Sequence, residues 1–523
     1  MRTRWIQGVA VIALGVALVG IRHSTHGAAA YPITLPGSLP ATLYEPGARR
    51  GFAEIPADRP PLPTLILAHG FSANRSMLDL LARRVARAGY AVLTFDFQGH
   101  GANPHPFEPV GRGRAGLVND FATALRYVRS DPRLDATRIA IAGHSMGAAT
   151  ALRVASYESG LAAVIGISGG ASPEGPYPVQ NLLLIWASGD PSTLRVRLRE
   201  LGAHLAGFAR LVADRTYGDV SRGEAIRVSE VAGTDHVRIL WSAPAARRIL
   251  AWLETTVGPG LSPAANPLAP GPGPWVALGL AAVGTLLWGF PTLLASVVRT
   301  RAPRPIDDPL RRVAMGGASL LIGGLLLLGA HPRSGGGPLA ALPLVAGREV
   351  AAFFAVSGAS LCLLLARSPW GRAALGRPRT SLPTALAAGG LAFGLSYLLL
   401  AGIVAPYLEL GLAPRRLLWW GLCSVAALPF FLATEVAYRG SGRAGRWLPL
   451  GFKILTILAL GSGAASGVLP RVVGLALGGV VALFALLEWV AFRLGRAGHD
   501  PWVAALFQSF WIGLFLAGFP LEV

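Results

Sequence analysis

The sequence is poor in cysteine, lysine and charged residues. Its 523 residues include two cysteines, Cys362 and Cys423, and both lie in apolar runs. The N-terminal half therefore has no disulfide framework and no thiol chemistry. Charged residues make up 14% of the chain and hydrophobic residues 52%, which is not the composition of a wholly soluble protein. Lys453 is the only lysine, and we interpret it as a coding bias rather than as part of a mechanism.

Basic residues are in excess, and the excess is unevenly distributed. The net charge is +20. Residues 31–258 carry 24 Arg against 19 acids, whereas the rest of the chain carries 23 Arg and Lys against 8 acids. Most of the excess thus lies beside apolar segments, where anionic headgroups attract it. No basic cluster is interleaved with aromatic or base-reading side chains, so the sequence predicts the lipid bilayer as a partner and no nucleic acid.

The N-terminus combines a basic start with an apolar run. Two arginines precede the stretch from Trp5 to Ile21, which is the pattern of a secretory signal or a signal anchor. Ala28-Ala29-Ala30 offers a cleavage site, but the apolar run is long enough to remain as a membrane helix. Residues 1–30 are therefore predicted to be a signal anchor or a signal peptide, with the anchor favoured. Either one exports the residues that follow.

The C-terminal part is predicted to be an all-α membrane domain of about eight spans, residues 275–523. A Pro- and Gly-rich linker, residues 259–274, separates it from a globular domain, residues 31–258. The apolar runs of membrane-spanning length lie near 275–298, 313–330, 350–366, 383–405, 417–434, 451–468, 472–491 and 502–519.

The loop charges orient these spans. With the N-terminus in the cytoplasm, the loops on its side carry 17 basic residues and the opposite loops carry 6. The 17 are Arg2, Arg4, Arg299, Arg301, Arg304, Arg311, Arg312, Arg367, Arg372, Arg377, Arg379, Arg439, Arg443, Arg446, Lys453, Arg493 and Arg496, and the 6 are Arg22, Arg333, Arg348, Arg415, Arg416 and Arg471. Because basic loops stay in the cytoplasm, we expect the globular domain on the extracytoplasmic side of the plasma membrane.

The globular domain alternates between short apolar strands and helix-length stretches. Six strands are predicted, near 64–68, 90–95, 138–142, 163–167, 182–186 and 225–231, with helices near 77–88, 117–129 and 146–156. Strands that are apolar at every position are buried on both faces. The pattern predicts an α/β fold with a mostly parallel sheet flanked by helices.

The third strand runs directly into Gly143-His144-Ser145-Met146-Gly147. A G-x-S-x-G motif between a buried strand and a helix is typical of a nucleophile elbow, a strained turn that exposes the serine hydroxyl. The motif predicts Ser145 as the nucleophile. The first strand ends at His69-Gly70-Phe71, and a loop in that position supplies one oxyanion donor. The predicted oxyanion hole is the pair of backbone N–H groups of Phe71 and Met146.

Two downstream residues complete a predicted catalytic triad with Ser145. Asp190 ends the fifth strand and His236 follows the sixth, in the order nucleophile, acid, histidine. The histidine would take the serine proton, and the acid would orient the histidine. Alternative acids are Glu174, Asp214 and Asp219, while Asp235 is expected to point away; His100, His144 and His204 are interpreted as structural or pocket-lining. No cofactor and no metal site are predicted.

Three segments carry a family resemblance: His69-Gly-Phe-Ser-Ala-Asn74, Phe95-Asp-Phe-Gln-Gly-His-Gly101 and Gly143–Gly147. They resemble the α/β-hydrolase superfamily, especially its dienelactone-hydrolase-like and small serine esterase branches. The resemblance covers residues 31–257 and implies the α/β-hydrolase fold, with Asp96 shaping a turn.

Large lids of this superfamily are often inserted where 168–181 lies here. That interval is short and rich in Gly and Pro, so we expect no large lid, a missing helix, and a site that is open or covered by the bilayer or the membrane domain.

The leading interpretation is a membrane-bound serine hydrolase that cleaves carboxylic esters, small-molecule or lipid, through an acyl-enzyme. An acyltransferase or a serine peptidase would use the same triad. The non-enzymatic alternative is a transporter or receptor whose hydrolase-like domain only binds its ligand, but a binding module does not need all three triad residues.

Two carboxylates, Glu435 and Glu488, lie in the apolar runs and are functional candidates because charge at membrane depth is costly. The segment Glu435-Val-Ala-Tyr-Arg439 faintly resembles the Glu-x-x-x-Arg signature of CPBP intramembrane proteases, without the other motifs of that family. We expect Glu435 to lie near a cytoplasmic end, pair with Arg439 and extend towards the water.

Overall fold

The computed structural model describes residues 2–47, 60–107, 113–176, 178–261, 266–269, 271–294, 309–330, 344, 347–367, 369–376, 381–404, 414–439, 444–467, 469, 472–497 and 500–519. Part of the predicted linker, residues 262–265 and 270, lies outside them, as do the predicted loop residues Arg299, Arg301, Arg304, Arg333, Arg377, Arg379, Arg443 and Arg471. The chain divides into two compact units. Residues 18–276 make up nearly all of one, and residues 1–17, 277–403 and 411–521 form the other.

The first described helix is α1 (Arg2–Ser24), and nine strands of the described chain then form one sheet. The strands are β1 (Ala28–Leu35), β2 (Leu39–Pro46), β3 (Leu62–Ala68), β4 (Ala91–Phe95), β5 (Leu134–His144), β6 (Ala163–Ile167), β7 (Leu182–Ala187), β8 (Thr216–Tyr217) and β9 (Ile226–Val231). Their order is β1-β2-β4-β3-β5-β6-β7-β9-β8. From β4 to β9 all neighbours are parallel, whereas β1, β2 and β8 pair antiparallel.

Helices cover both faces of the sheet. They are α2 (Asp79–Arg87), α3 (Gly113–Ser130), α4 (Met146–Tyr157), α5 (Ser192–Leu205) and α6 (Ala243–Thr256). Alternate residues of β3 point to opposite faces: Ile66 packs with α3, α4 and α5, and Leu65 packs with α2 and α6. Both are fully buried, as the uniformly apolar strands predict. The predicted α/β-hydrolase fold, a mostly parallel sheet flanked by helices, is confirmed.

The antiparallel strands β1 and β2 at one edge of the sheet were not predicted. Ala28 pairs with Pro46 and Leu35 with Leu39, so the Ala28-Ala29-Ala30 segment forms part of a strand. Alanine and proline have low strand propensity, which hides these strands in the sequence. Pro32 is accommodated because β1 is an edge strand, where a missing N–H costs no sheet hydrogen bond.

The connection from β6 to β7 contains no helix in residues 168–176 and 178–181. The chain crosses there in irregular conformation, as the short Gly- and Pro-rich interval predicts. This part of the molecule therefore has no lid of the size that such an insertion would provide. The turn begins at Ser168, directly after β6, with a φ angle of 46°.

The C-terminal region is helical. Its helices are α7 (Gly273–Leu294), α8 (Pro309–Ala330), α9 (Gly347–Ala366), α10 (Pro369–Leu375), α11 (Leu382–Val404), α12 (Pro414–Tyr438), α13 (Ala444–Ala465), α14 (Val472–Arg496) and α15 (Pro501–Ala517). Of the described helices, seven are long and apolar enough to cross a membrane: α1, α7, α8, α9, α11, α12 and α13. The shorter α15 is also apolar. The chain thus contains a membrane-spanning region by helix length and composition.

Small residues allow these helices to pack closely. A Cβ on Gly358 of α9 would lie 2.2 Å from the backbone nitrogen of Phe430 in α12, and one on Gly513 of α15 would lie 2.1 Å from the hydroxyl of Ser424 in α12. Close approach of backbones at small residues is the usual basis of helix association in lipid. Gly358 and Gly513 are therefore contact residues between helices.

Candidate active site

The strand-to-helix turn between β5 and α4 holds Ser145 in a strained conformation. Its φ and ψ angles are 53° and −111°, a region that a residue with a side chain occupies only when its surroundings hold it there. A Cβ on Gly143 would lie 2.1 Å from the carbonyl carbon of Gly147, and one on Gly147 would lie 2.5 Å from the carbonyl oxygen of His69. Both glycines of the motif are thus required by close packing around the serine.

Ser145, His236 and Asp190 meet at the carboxyl ends of the parallel strands. The Nε2 atom of His236 lies 3.1 Å from the Oγ atom of Ser145, and its Nδ1 atom lies 2.6 Å from Oδ1 of Asp190. Asp190 follows β7 and His236 follows β9, strands that are neighbours in the sheet. The structure therefore brings the three predicted triad residues into one chain of hydrogen bonds, although they are far apart in sequence.

The carboxylate of Asp190 has a fixed orientation. Its Oδ2 atom accepts hydrogen bonds from the Ser168 hydroxyl at 2.6 Å and from the Ala187 N–H at 2.8 Å. Burial alone would raise the pKa of Asp190, but hydrogen bonds from His236, Ser168 and Ala187 lower it below the ordinary value. An ionised carboxylate only accepts, so His236 carries its proton on Nδ1 and turns the lone pair of Nε2 towards Ser145.

The ring of His144 lies beside the ring of His236, with 4.8 Å between the ring centroids. Its Nε2 atom is 2.7 Å from the backbone carbonyl oxygen of His236, and a carbonyl only accepts, so His144 donates there. Burial, followed by the proximity of His236, lowers the pKa of His144 to about 4. The ring is thus neutral at ordinary pH and supports the His236 main chain, in agreement with a structural rather than a catalytic interpretation.

The loop after β3 places Gly70 and Phe71 beside the nucleophile. A Cβ on Gly70 would lie 3.2 Å from the Cβ of Ser145, and Met146 is the first residue of α4. The Phe71 ring contacts the rings of His100 and Phe107 edge to face. Of the predicted oxyanion hole, Met146 follows Ser145 directly and Phe71 follows Gly70. The role of both residues as donors stays a prediction.

Asp96 holds the turn after β4. Its carboxylate accepts from the backbone N–H groups of Arg75 and Ala102 at 2.8 and 2.9 Å, and it forms an ion pair with the Arg75 side chain. The N–H of Phe97, next in sequence, donates to His69 Nε2 at 3.0 Å. Asp96 thus joins the loops after β3 and β4, which is the turn-shaping role that the family resemblance implies.

The alternative acids have other partners. Their contacts are Glu174 with Arg153, Asp214 with Ser229 and Arg248, Asp219 with Ser221, and Asp235 with the N–H groups of Val237 and Arg238. Asp190 is therefore the acid that faces His236. Sequence reasoning missed Ser168, for which the position directly after β6 was the only signal.

A second charged cluster lies in the helical unit, and we name it the charged ring: Glu435, Arg439, Glu488, Lys453 and Gln508. Arg439 donates to Glu435 at 2.8 Å and to Glu488 at 2.5 Å, and Lys453 donates to Glu488 at 2.6 Å and to Gln508 at 2.5 Å. The Gln508 amide closes the ring by donating to Glu435 at 3.0 Å. The ring links α12, α13, α14 and α15.

The charged ring corrects two expectations. Lys453 is fully buried in α13 and pairs with Glu488, so its assignment to the loop charges is wrong. The pairing of Glu435 with Arg439 is confirmed, but Glu435 is 2% exposed and does not extend towards water. Because Arg439 and Gln508 occupy its oxygens, Glu435 is not placed to act as a general base.

The described residues contain no group of three or more His, Cys, Asp or Glu that could hold a metal ion.

The sheet order, the elbow and the strand-end triad geometry define an α/β-hydrolase domain. Consistent with this, residues 59–209 match the family model of the serine aminopeptidases, S33. The matched segment includes Ser145 and Asp190 and ends before His236.

Similar curated proteins include the quorum-quenching protein AidA of Acinetobacter baumannii, which is 34% identical over 109 residues, 20% of this chain and 34% of AidA. A bis(hydroxyethyl) terephthalate hydrolase of Streptomyces coelicolor is 34% identical over 102 residues, 19% of this chain and 31% of the hydrolase. Cutinase 2 of Thermobifida cellulosilytica is 30% identical over 105 residues, 19% of this chain and 36% of the cutinase. The chain spans about a third of the length of these relatives.

Proposed function

We propose that the protein is a membrane-bound serine hydrolase that cleaves carboxylic esters through an acyl-enzyme. The observation that carries the proposal is the hydrogen-bond chain from Asp190 through His236 to Ser145, at 2.6 and 3.1 Å. A lone serine is a poor nucleophile at neutral pH, and a base held at hydrogen-bond distance activates it.

The reaction follows from these contacts. His236 Nε2 takes the proton of Ser145 as Oγ attacks the ester carbonyl carbon, and Asp190 stabilises the imidazolium that forms. The backbone N–H groups of Phe71 and Met146 stabilise the negative charge on the former carbonyl oxygen. The imidazolium then protonates the leaving alcohol as the C–O bond breaks. In the second half-reaction, water gives a proton to His236 and attacks the acyl carbon. His236 then returns the proton to Ser145 Oγ as the bond between Oγ and the acyl carbon breaks, which releases the acid.

Esters are favoured over peptides as substrates. Cutinase 2 and the bis(hydroxyethyl) terephthalate hydrolase are ester hydrolases by name. An aminopeptidase needs a carboxylate to bind the substrate ammonium, and the acids Glu174 and Glu230 form ion pairs with Arg153 and Arg199. Without a large lid over β6 and β7, short-acyl esters and amphipathic lipid esters are the expected substrates.

A serine peptidase is the second candidate, because the matched family is described as serine aminopeptidases. Detergent-solubilised protein should hydrolyse 4-nitrophenyl butyrate and monoacylglycerol faster than aminoacyl 4-nitroanilides. Ser145→Ala should abolish the activity, and Ser156→Ala, on the same helix, should retain it. A clear preference for the anilides would replace the esterase by the peptidase, and full ester hydrolysis by Ser145→Ala would remove the proposal.

The proposed location is the plasma membrane, with the hydrolase domain on the extracytoplasmic side. The charge bias of the loops supports this side. Retention of the N-terminal helix is supported by β1, since cleavage after Ala30 would remove three residues paired with Tyr44, Glu45 and Pro46. Alkaline phosphatase fused after Gly258 should be active and fused after Thr300 inactive; the reverse pattern would contradict the proposed topology.

A further inference from the structure

Ser168 contacts the triad from the side opposite the nucleophile. It follows β6 directly, its N–H donates to the carbonyl of Ile185 in β7 at 2.7 Å, and its hydroxyl donates to Oδ2 of Asp190 at 2.6 Å. Asp190 in turn accepts from His236 through its other oxygen. The hydrogen-bond chain therefore has four members rather than three. Ser168 is out of reach of substrate, since it is 1% exposed.

The backbone at Ser168 is strained in a way that glycine would relieve. Its φ angle of 46° lies in the left-handed region, which is unfavourable for a residue with a Cβ atom. Gly169 and Gly170 follow, so the turn already contains glycine next to the strained position. A serine at a position suited to glycine indicates that its hydroxyl contributes something that offsets the strain.

The turn also brings the chain against the nucleophile. A Cβ on Gly169 would lie 2.3 Å from the carbonyl oxygen of Ser145, so the residue after Ser168 must be glycine. The helix that commonly follows this strand is absent from the described residues of the connection. The turn at Ser168 therefore directs the hydroxyl towards Asp190 and also places Gly169 in contact with the backbone of Ser145.

We propose that Ser168 is a positioning residue of the catalytic site, which fixes the Asp190 carboxylate so that its Oδ1 atom faces His236. This inference rests on the proposed serine-hydrolase function. The Ala187 N–H is the other donor to Oδ2. Without the Ser168 hydroxyl, Oδ2 keeps this single donor, so the carboxylate is held less firmly against rotation about its Cβ–Cγ bond. Misplacing the acid weakens the stabilisation of the imidazolium that forms in the transition state, while substrate binding at Ser145 is unchanged.

The test compares Ser168→Ala, Ser168→Gly and Ser229→Ala in the full-length protein with 4-nitrophenyl butyrate. Ser168→Ala and Ser168→Gly both remove the hydroxyl. Ser168→Gly also removes the backbone strain, so it separates the loss of the hydroxyl from any disturbance of the turn. Ser229→Ala is the matched control, because the buried Ser229 hydroxyl donates at 2.5 Å to Asp214, an acid outside the triad.

Both Ser168 variants should lower kcat about 10- to 100-fold, the usual effect of losing a hydrogen bond to a charged group. KM should stay within about twofold of the wild type, because a positioning residue acts on the transition state. Ser229→Ala should retain the wild-type kcat.

Wild-type kcat in Ser168→Gly would overturn the inference, whether or not Ser168→Ala loses activity, because it would show that strain or packing matters and the hydroxyl does not. A rise in KM at unchanged kcat would overturn it as well. Failure of the proposed function is a different result: the wild type would then hydrolyse no ester, or Ser145→Ala would hydrolyse it as well as the wild type does.

Discussion

The described residues include a chain of hydrogen-bonded polar and charged side chains in each compact unit, and the two chains end differently. In the sheet unit the chain runs from Ser168 through Asp190 and His236 and ends on the partly exposed hydroxyl of Ser145. In the helical unit the charged ring closes on itself. Glu435, Lys453, Glu488 and Gln508 are buried, and Arg439 is partly buried. The open chain has a terminal atom that can react.

The charged ring has no such atom. Two acids, two bases and one amide balance in charge, and each carboxylate accepts from two of the other members. Buried charge in lipid is tolerated when it is paired in this manner. The comparison supports the proposal that the triad performs chemistry, whereas the members of the ring bond to one another across four helices.

The largest effect is expected from Asp190→Asn. The donors Ser168 and Ala187 would bind the amide oxygen, so the amide NH₂ group would face Nδ1 of His236. The histidine would then carry its proton on Nε2, towards Ser145, and could not accept the serine proton. We expect kcat to fall by up to about 10⁴-fold. Ester hydrolysis rates measure this, with Asp214→Asn as the control; a loss below tenfold would mean that Asp190 does not orient His236.

The stability of the helical unit should depend on whether the charges of the ring stay paired rather than on the presence of any single residue. Glu488→Leu leaves Lys453 without a carboxylate partner and should destabilise the helical unit by about 3–5 kcal/mol. The double variant Lys453→Met/Glu488→Leu keeps the Glu435–Arg439 pair and removes the unpaired charge, so it should recover most of that loss. Thermal unfolding in detergent compares the stability of the wild type, the single variant and the double variant. Equal destabilisation by the single and double variants would contradict the pairing.

A smaller effect is expected from the pH dependence of stability. His144 has its pKa lowered to about 4 in the folded protein, against about 6.5 in the unfolded chain. The unfolded state therefore binds more protons between these values, and the contribution of His144 is fully present above pH 6.5 and lost as the pH falls. By pH 5 the loss should be about 2 kcal/mol.

The control for that measurement is His144→Gln, which can still donate to the His236 carbonyl but does not titrate. Its melting temperature should fall less between pH 7 and pH 5 than that of the wild type. Parallel pH profiles of the two proteins would show that His144 is not held neutral by burial.

The sequence alone predicted the position of a site residue where a single strand or a single motif indicated it. Ser145 and Asp190 follow apolar strands and His236 follows β9. Because parallel strands bring their carboxyl ends to one edge, the order of the strands predicts that the three residues meet. The hydroxyl of Ser168 could not be placed in this way, because its direction depends on a left-handed turn. Nor did the sequence show why Lys453 is present.

The partners of Lys453 show the limit of sequence reasoning in the helical unit. Glu488 lies 35 residues away and Gln508 lies 55 residues away, on different helices. Helical periodicity assigns a residue to a face of its own helix but does not say which face of another helix it meets. The pair Glu435 and Arg439 was predictable since it is spaced one turn apart on α12.

Covalent labelling with a fluorophosphonate probe tests the central claim most directly, because it reports the nucleophile together with the base that activates it. The wild-type protein in detergent should be labelled, and peptide mass spectrometry should place the adduct on Ser145. Ser145→Ala should not be labelled, and His236→Ala should be labelled only slowly. Labelling of Ser145→Ala at the wild-type rate would contradict the account.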